Sequence, residues 1–256
     1  MRLVVWNILH GGGPRRVPEI GLALVERHAD VVVLLEFRTP RGGQLRAVLA
    51  DAGLVHQLAS PAPAGRNGIL IASRWPLRQH PQLVVCQELA PKFMAVMGDT
   101  PAHGTLTFIG VHVPDDGSPT TRAKAWQRLV EVARSQTMRT IIAGDLNTGR
   151  HRIDEIGETF SHTQSLGELA MAGYVDVWRG LNPSSRERTW GGIPGCHGRP
   201  FDRQPGGSRI DAVWASPDLA ARALSATLSH AERESGISDH SLLCVDFHGE
   251  TGPESG

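Results

Sequence analysis

Thr140-Ile141-Ile142-Ala143-Gly144-Asp145-Leu146-Asn147 is a short β-branched and apolar run that ends in a glycine, a carboxylate and an amide. A run of this kind reads as a strand buried on both faces, with its polar end in the loop that follows. The same composition recurs along the chain. Val5-Trp6-Asn7, Leu34-Leu35-Glu36, Arg209-Ile210-Asp211 and Ser238-Asp239-His240 each set an amide, carboxylate or imidazole at or beside the end of an apolar run. Loops at one edge of a sheet gather residues that are distant in sequence, so the five segments are read together as one site.

Outward from that run, residues 3–6, 31–35, 68–72, 83–86, 93–97, 106–113, 140–143, 210–215 and 242–247 all read as strands. Between them lie helix candidates. The clearest covers residues 118–136, with Ser118 as N-cap, Pro119 at the first helical position, and Ala123, Trp126, Leu129, Val130 and Ala133 at helical spacing on a buried face. Residues 19–28, 44–52 and 163–172 are further helices. Trp6, Trp126, Trp178 and Trp214 read as core. Some strands are joined by helices and others by hairpin-length turns, which points to an α/β (α+β) domain of two packed mixed sheets with helices outside. No composition break or repeat divides residues 1–248, so one domain is expected, followed by a Gly/Pro/Glu/Ser-rich tail at 249–256 that frays.

Composition narrows the class. An apolar fraction of 40% and a charged fraction of 20% describe an ordinary globular protein. No apolar run is long enough for a membrane span, and Met1 leads almost directly into Leu3-Val4-Val5-Trp6 without a signal-peptide pattern, so an intracellular, cytoplasmic protein is expected. Cys86, Cys196 and Cys244 are odd in number and widely separated, which suggests neither a disulfide framework nor a zinc site. A formal net charge of zero argues against a strongly basic nucleic-acid-binding arm while leaving room for a local basic groove. No obligate protein partner is evident.

The chemistry follows from the residue types. Phosphate ester cleavage requires a hard cation, an aimed and deprotonated water, and stabilisation of the leaving oxygen. Magnesium requires only one or two carboxylates, and Glu36 and Asp239 are the natural candidates. Asp145 and Asn147 would face the same way if the extended conformation persisted past residue 145. That pair suits a group that orients water and holds a phosphate oxygen, although Asp-x-Asn after a strand is also how an Asx-turn looks. His240 could act as acid/base or as a cation facing phosphate, with Asp211 orienting its other nitrogen. His112 is a second donor, and Arg209 could pair locally or touch phosphate.

These segments, with Asn67-Gly68-Ile69-Leu70-Ile71-Ala72-Ser73-Arg74, resemble the endonuclease/exonuclease/phosphatase superfamily of deoxyribonuclease I-like fold across essentially the whole chain. The resemblance implies a four-layer sandwich and divalent-metal phosphoesterase activity, with Mg²⁺ as cofactor and Mn²⁺ able to substitute. It makes Glu36, Asp239 and Asn7 the metal group. It gives Asp145 the water, Asn147 and His112 the phosphate, Asp211 the support of His240, and Asn67, Trp190 and Arg209 the substrate. The second half, through Thr189-Trp190 and Arg209-Ile210-Asp211-Ala212-Val213-Trp214, is most similar to the abasic-site endonuclease and exonuclease branch. Three positions differ from that branch: His112 stands for a tyrosine before Val113-Pro114, Gly191-Gly192 follows Trp190, and Ser208 precedes the Arg-Ile-Asp motif. A Gly/Arg-rich loop between Gly191 and Ser208 could follow a nucleic-acid backbone through Arg199 and Arg203.

The expected function is therefore cleavage of nucleic-acid phosphodiesters, DNA ahead of RNA. The first alternative is a phosphatase or phosphodiesterase of a small or lipid substrate. A non-catalytic binding module is the distant one.

Overall fold

Strict alternation along the strands sorts their side chains into three cores. In the computed structural model, which describes residues 1–83, 85–136, 139–155, 160–191 and 207–249, the first strand is β1 (Arg2–Asn7). Its Leu3 and Val5 enter one hydrophobic cluster, and Val4 and Trp6 another on the opposite face. The remaining strands are β2 (Val31–Phe37), β3 (His56–Ala59), β4 (Gly68–Ser73), β5 (Leu77–Gln79), β6 (Phe93–Thr100), β7 (Gly104–His112), β8 (Thr140–Asp145), β9 (Val175–Asp176), β10 (Asp211–Ala215), β11 (Ala223–Ser229) and β12 (Leu242–Phe247). They form two six-stranded sheets of order β11-β12-β1-β2-β4-β3 and β5-β6-β7-β8-β10-β9. Both sheets are mixed, because β1–β2 and β7–β8 pair in parallel while β1–β12 and β8–β10 pair antiparallel.

The sheets face each other through Leu3, Val33, Ile71, Phe108, Ile141, Val213 and Leu243, all buried. The first sheet turns its other face to α1 (Gly13–Glu26) and α2 (Gly43–Asp51), through Trp6, Ile20, Leu24 and Leu49. The second is covered by α3 (Pro119–Ser135) and α4 (Thr163–Met171), through Trp126, Leu129, Leu166 and Trp214. Short helices α5 (Val177–Leu181), α6 (Pro217–Ala220) and α7 (Ala231–Glu234) complete the described elements, with a 3₁₀ turn at Thr39–Arg41. This is the expected four-layer α/β sandwich. Among the described residues no helix is long and apolar enough to cross a membrane.

Some local expectations are corrected. No strand forms at Leu83, Val85 or Cys86, and Cys86 is exposed. Helix α1 starts earlier than expected, at Gly13, with Pro18 inside it. On α3 it is Ala125 rather than Ala123 that is buried, and Ser118 occupies the N-cap position without a side-chain cap bond. The loop carrying Arg199, Arg203 and Cys196, and all of the tail past Gly249, lie outside the described residues.

Arg209 is the largest correction among the expected site residues. Its guanidinium is buried and committed to structure. Nε and Nη2 donate to Asp154 at 2.8 and 3.1 Å, and Nη2 also donates to Asp176 Oδ2 at 2.7 Å. Arg179 donates to the same Asp154 at 2.6 Å. Both guanidinium groups lie over the Trp178 ring, at 4.9 and 5.0 Å from its centroid. With all its charge answered inside the fold, Arg209 locks the residues leading into β10 to β9, to α5 and to the loop after β8.

Burial would raise the Asp154 carboxyl, but the charge and hydrogen bonds of Arg209, with the bonds from Arg150 N and Arg179, hold it below its ordinary value of 3.8. Its contribution to stability is therefore complete above that unfolded value and is lost as pH falls through the lower folded one. Asp154→Ala is expected to cost about 3–5 kcal/mol in urea unfolding at neutral pH, since it leaves two buried guanidiniums short of a partner. A loss below about 1 kcal/mol, the range of a surface pair, would show that the network holds nothing together.

Candidate active site

The candidate site lies where the core between the sheets reaches one edge. In β8 the inward positions run Ile141, Ala143, Asp145, and in β10 they run Ala215, Val213, Asp211. One further step of two thus turns each row from aliphatic to acidic. Strand register sets the charged residues side by side: His112 pairs with Asp145 across β7–β8, and Asp145 with Asp211 across β8–β10. In the facing sheet, Asn7 ends β1 on the same inward side as Leu3 and Val5.

Bonds within and between the sheets close the site. Asn7 Nδ2 donates to Asp145 Oδ2 at 3.1 Å. Ser238 Oγ donates to the Asn7 carbonyl at 2.6 Å, His240 N to Ser238 Oγ at 3.1 Å, and Trp6 Nε1 to the His240 carbonyl at 2.9 Å. These bonds seat residues 238–240 on the end of β1. They bring His240 Nδ1 to 2.8 Å from Asp211 Oδ2. His240 Nε2 then stands 3.8 Å from Asp145 Oδ2, and His112 Nε2 stands 3.8 Å from the same oxygen.

Glu36 and Asn147 reach the site by departing from regular strand. Glu36 has φ of 59°, and the β2–β4 register shifts between Leu35 and Phe37. The bulge lets Leu35 stay in the inter-sheet core and Phe37 in the outer one, and re-aims the carboxylate between them. Asn147 has φ of 46°, and its backbone N–H donates to Asp145 Oδ1 at 2.9 Å. The extended conformation therefore stops at Asp145, and an Asx-turn places Asn147, whose Nδ2 donates to Val113 O at 2.8 Å. Strand β8 runs on through Gly144 to Asp145. A Cβ on Gly144 would lie 1.8 Å from the Val111 carbonyl, so glycine is required by the close approach of β7.

One geometry shifts the titration of several groups in different directions. Burial and the charge of Asp211 opposite raise the Asp145 carboxyl to about 7. Burial opposes the His240 imidazolium, but the charge and hydrogen bond of Asp211, with the charges of Asp145 and Asp239, raise it to about 10. His112 has no such partner, and burial with the Lys92 charge pushes it down to about 4. Burial would raise Glu36 as well. The hydrogen bond from His10 and the nearby charge of His112 instead hold it well below the ordinary carboxylate range.

The donor set fits a hard divalent cation. Asp211 Oδ1 and Asp239 Oδ1 are buried carboxylate oxygens that no donor among the described residues reaches. Asp145, Asp211 and His240 also gather ligand atoms within 4.8 Å of one another. In that second group His240 Nδ1 is already bonded to Asp211, so it is better suited to handling protons.

Asn67 lies at the rim. Its Oδ1 accepts from Arg38 Nε at 2.7 Å, and its Nδ2 is 3.2 Å from His10 Nδ1. Trp190 is half-buried, with Nε1 donating to Asp239 Oδ2 at 3.3 Å. Sequence reasoning missed His10, whose ring and backbone N–H both meet Glu36 Oε2, at 2.7 and 2.6 Å. The Gly11-Gly12-Gly13 that follows it was the available signal, since residues 9–13 all have positive φ. It also missed Arg122, buried under the Asn147 loop and donating to the Asn147 and Pro114 carbonyls at 2.6 Å each. Only a helix that buries a cation among its apolar positions hints at that.

The sequence pattern of the Endonuclease/Exonuclease/phosphatase family matches residues 4–240. No curated protein matches the chain. Among solved structures, an AP endonuclease from Archaeoglobus fulgidus superposes with a TM-score of 0.78 at 21% identity, over 96% of this chain and 99% of that one. The 3′ phosphatase NExo from Neisseria, in a variant bound to a product DNA hairpin, does so with 0.78 at 20%, over 97% and 99%. The catalytic domain of Xenopus laevis APE2 gives 0.72 at 18%, over 96% and 91%. At these identities the likeness to each is one of fold.

Asp211→Asn removes the largest of the charges that lift His240, so that burial is opposed only by the charges of Asp145 and Asp239. The imidazole, followed by NMR across pH, is expected to fall from about 10 toward its ordinary 6.5. A His240 still titrating near 10 in that variant would place the cause elsewhere.

Proposed function

The chain belongs to the Endonuclease/Exonuclease/phosphatase family, and from that premise we propose that it hydrolyses phosphodiester bonds of nucleic acid, DNA ahead of RNA, with a divalent cation. Members of this family act on phosphoester bonds. The observation that carries the reading is Asp145 Oδ2, buried and 3.8 Å from the Nε2 atoms of both His112 and His240. That separation exceeds a hydrogen bond and suits groups that share a water or a phosphate oxygen.

Asp145 is the general base. A carboxyl near 7 exchanges its proton readily at neutral pH, and Asn7 and the Asn147 N–H fix the direction of its oxygens. Attack of the aimed water on phosphorus passes one proton to Asp145 and breaks the bond to the leaving ester oxygen. His240 stays an imidazolium at neutral pH and presents Nε2–H to the oxygens on which negative charge builds. Its other nitrogen is held by Asp211. His112 is neutral there and serves as an uncharged donor. The Asn147 amide keeps one N–H beyond its bond to Val113 for a phosphate oxygen.

Glu36, Asp239 and Asn7 are assigned to the cation, Mg²⁺ with Mn²⁺ able to substitute. When bound, the ion would neutralise charge developing on the phosphate and the leaving oxygen. Oxygen donors, two of them carboxylates, suit such an ion. In this structure Asn7 also supports Asp145 directly, so the same side chain ties the base to the cation group.

A nucleic-acid substrate is supported by the structural neighbours, an AP endonuclease and a phosphatase bound to a DNA hairpin. A smaller phosphoester is the second reading. It is favoured by a net charge of zero and by His112 at the position where the abasic-site branch carries tyrosine.

Asp145→Asn is expected to lose about 10²–10⁴-fold in turnover with an unchanged melting temperature. A rate within about tenfold of wild type would remove Asp145 from its role, because a missing base costs more than that. The substrate assay pairs a labelled duplex carrying an abasic-site analogue with an undamaged duplex and a chromogenic phosphodiester, each with a chelator control. Cleavage of the chromogenic ester alone would overturn the nucleic-acid reading in favour of a small substrate. Activity that survives chelation would overturn the cation assignment.

A further inference from the structure

Thr189 and Trp190 belong to no regular strand, yet this dipeptide touches each segment that supplies the site's C-terminal half. Thr189 is fully buried. Its Oγ1 accepts from the backbone N–H groups of Ile210 and Asp211 at 2.9 and 3.0 Å, and its carbonyl accepts from Ser241 N at 2.7 Å. Trp190 exchanges two backbone bonds with Ser208, at 2.9 and 2.8 Å, and bridges to His240. Asp211 opens β10 of one sheet, whereas Asp239 and His240 precede β12 of the other. The dipeptide therefore clasps the two sheets at the point where their functional side chains meet.

A tryptophan at the rim of a phosphoester site invites the role of stacking platform, and the family resemblance gives Trp190 to the substrate. The indole N–H says otherwise. It is a donor with no acceptor capacity, and it is aimed at one oxygen of Asp239, Oδ2, at 3.3 Å. The other oxygen, Oδ1, is buried, meets no donor among the described residues, and lies 3.9 Å from His240 Nε2. The terminal torsion of an aspartate is broad and roughly two-fold. Without a directing donor the carboxylate would present either oxygen, or both.

We infer that Trp190 is a positioning residue for Asp239: its indole N–H occupies Oδ2 and so leaves Oδ1 as the single oxygen offered to the cation. Thr189 holds the indole in place by fixing the backbone on both sides of it. The inference rests on the reading of Asp239 as a cation ligand. Donors that orient a ligand from behind typically contribute 10–100-fold to metal affinity.

The test is calorimetric titration of the cation-free protein with Mn²⁺, comparing wild type with Trp190→Phe, which keeps an aromatic ring while removing the N–H together with the pyrrole part of the indole. The dissociation constant is expected to rise about tenfold or more, while the melting temperature of the cation-free protein stays close to wild type. Equal affinities in the two proteins would overturn the inference and leave the functional reading standing. A wild-type protein that takes up no Mn²⁺ would overturn both. Should the Phe variant fail to fold, the Trp190 indole N–H resonance of the ¹⁵N-labelled protein gives a second measurement. It is expected to move upfield in Asp239→Ala, and an unmoved resonance would overturn the inference.

Discussion

Two carboxylates facing each other across a pair of strands govern the site. Asp145 and Asp211 are direct partners in the β8–β10 register, and both are buried. Like charges opposite one another are unfavourable in a sheet, and burial makes each more so. The relief comes from the other sheet. His240 approaches both, bonding Asp211 and standing over Asp145, and its raised pKa expresses that neutralisation. What Asp211 gives to His240 it imposes on Asp145, whose carboxyl rises toward neutrality for the same reason. An acid near 10 and a base near 7 thus follow from a single geometric choice, and His112, one strand further along the row, stays neutral because burial and the Lys92 charge outweigh the carboxylates near it.

The identities of the residues in this row could be read from the sequence because strand ends are local features. A β-branched run announces the strand, and the polar residue that breaks its alternation announces the edge of the core. The four-layer order was legible for the same reason, since α3 and the fully buried strands carry strong periodicity. The strands that escaped notice, β3, β5, β9 and β11, lie at sheet edges, and their burial is mostly partial. A half-exposed edge strand needs no unbroken apolar run, so its composition is that of a loop.

What the sequence could not show is where the backbone leaves its regular path. Glu36 looks like the next residue of a strand, yet a bulge and a positive φ bring it into the site. Asn147 reads equally as a same-face partner of Asp145 or as part of an Asx-turn, and the turn is what places it. Arg209 follows the same logic in reverse. Two positions before Asp211 it looked available to phosphate, but Asp154 and Asp176 claim it from segments far along the chain. A positive charge beside an acidic strand end is ambiguous until tertiary partners are known.

The end of β1 joins the two halves. Trp6 holds the His240 carbonyl, the Asn7 carbonyl holds Ser238, and the Asn7 side chain reaches across to Asp145. The last of these bonds spans the gap between the sheets and depends on how closely they approach, and there the missing side chains matter. A Cβ on Gly110 would come within 2.9 Å of Ile69 and 3.4 Å of Ile71 and Val33 in the facing sheet. Because interiors are close-packed, even one added methyl there is felt by its neighbours. Wedging the sheets apart at Gly110 would lengthen the Asn7–Asp145 bond and shift His240 relative to Asp145 without touching any of the three. The chemistry of the edge is thus set by the thickness of the core behind it, and the clasp at Thr189 and Trp190 holds that spacing on the side where Asp211 and Asp239 come from different sheets.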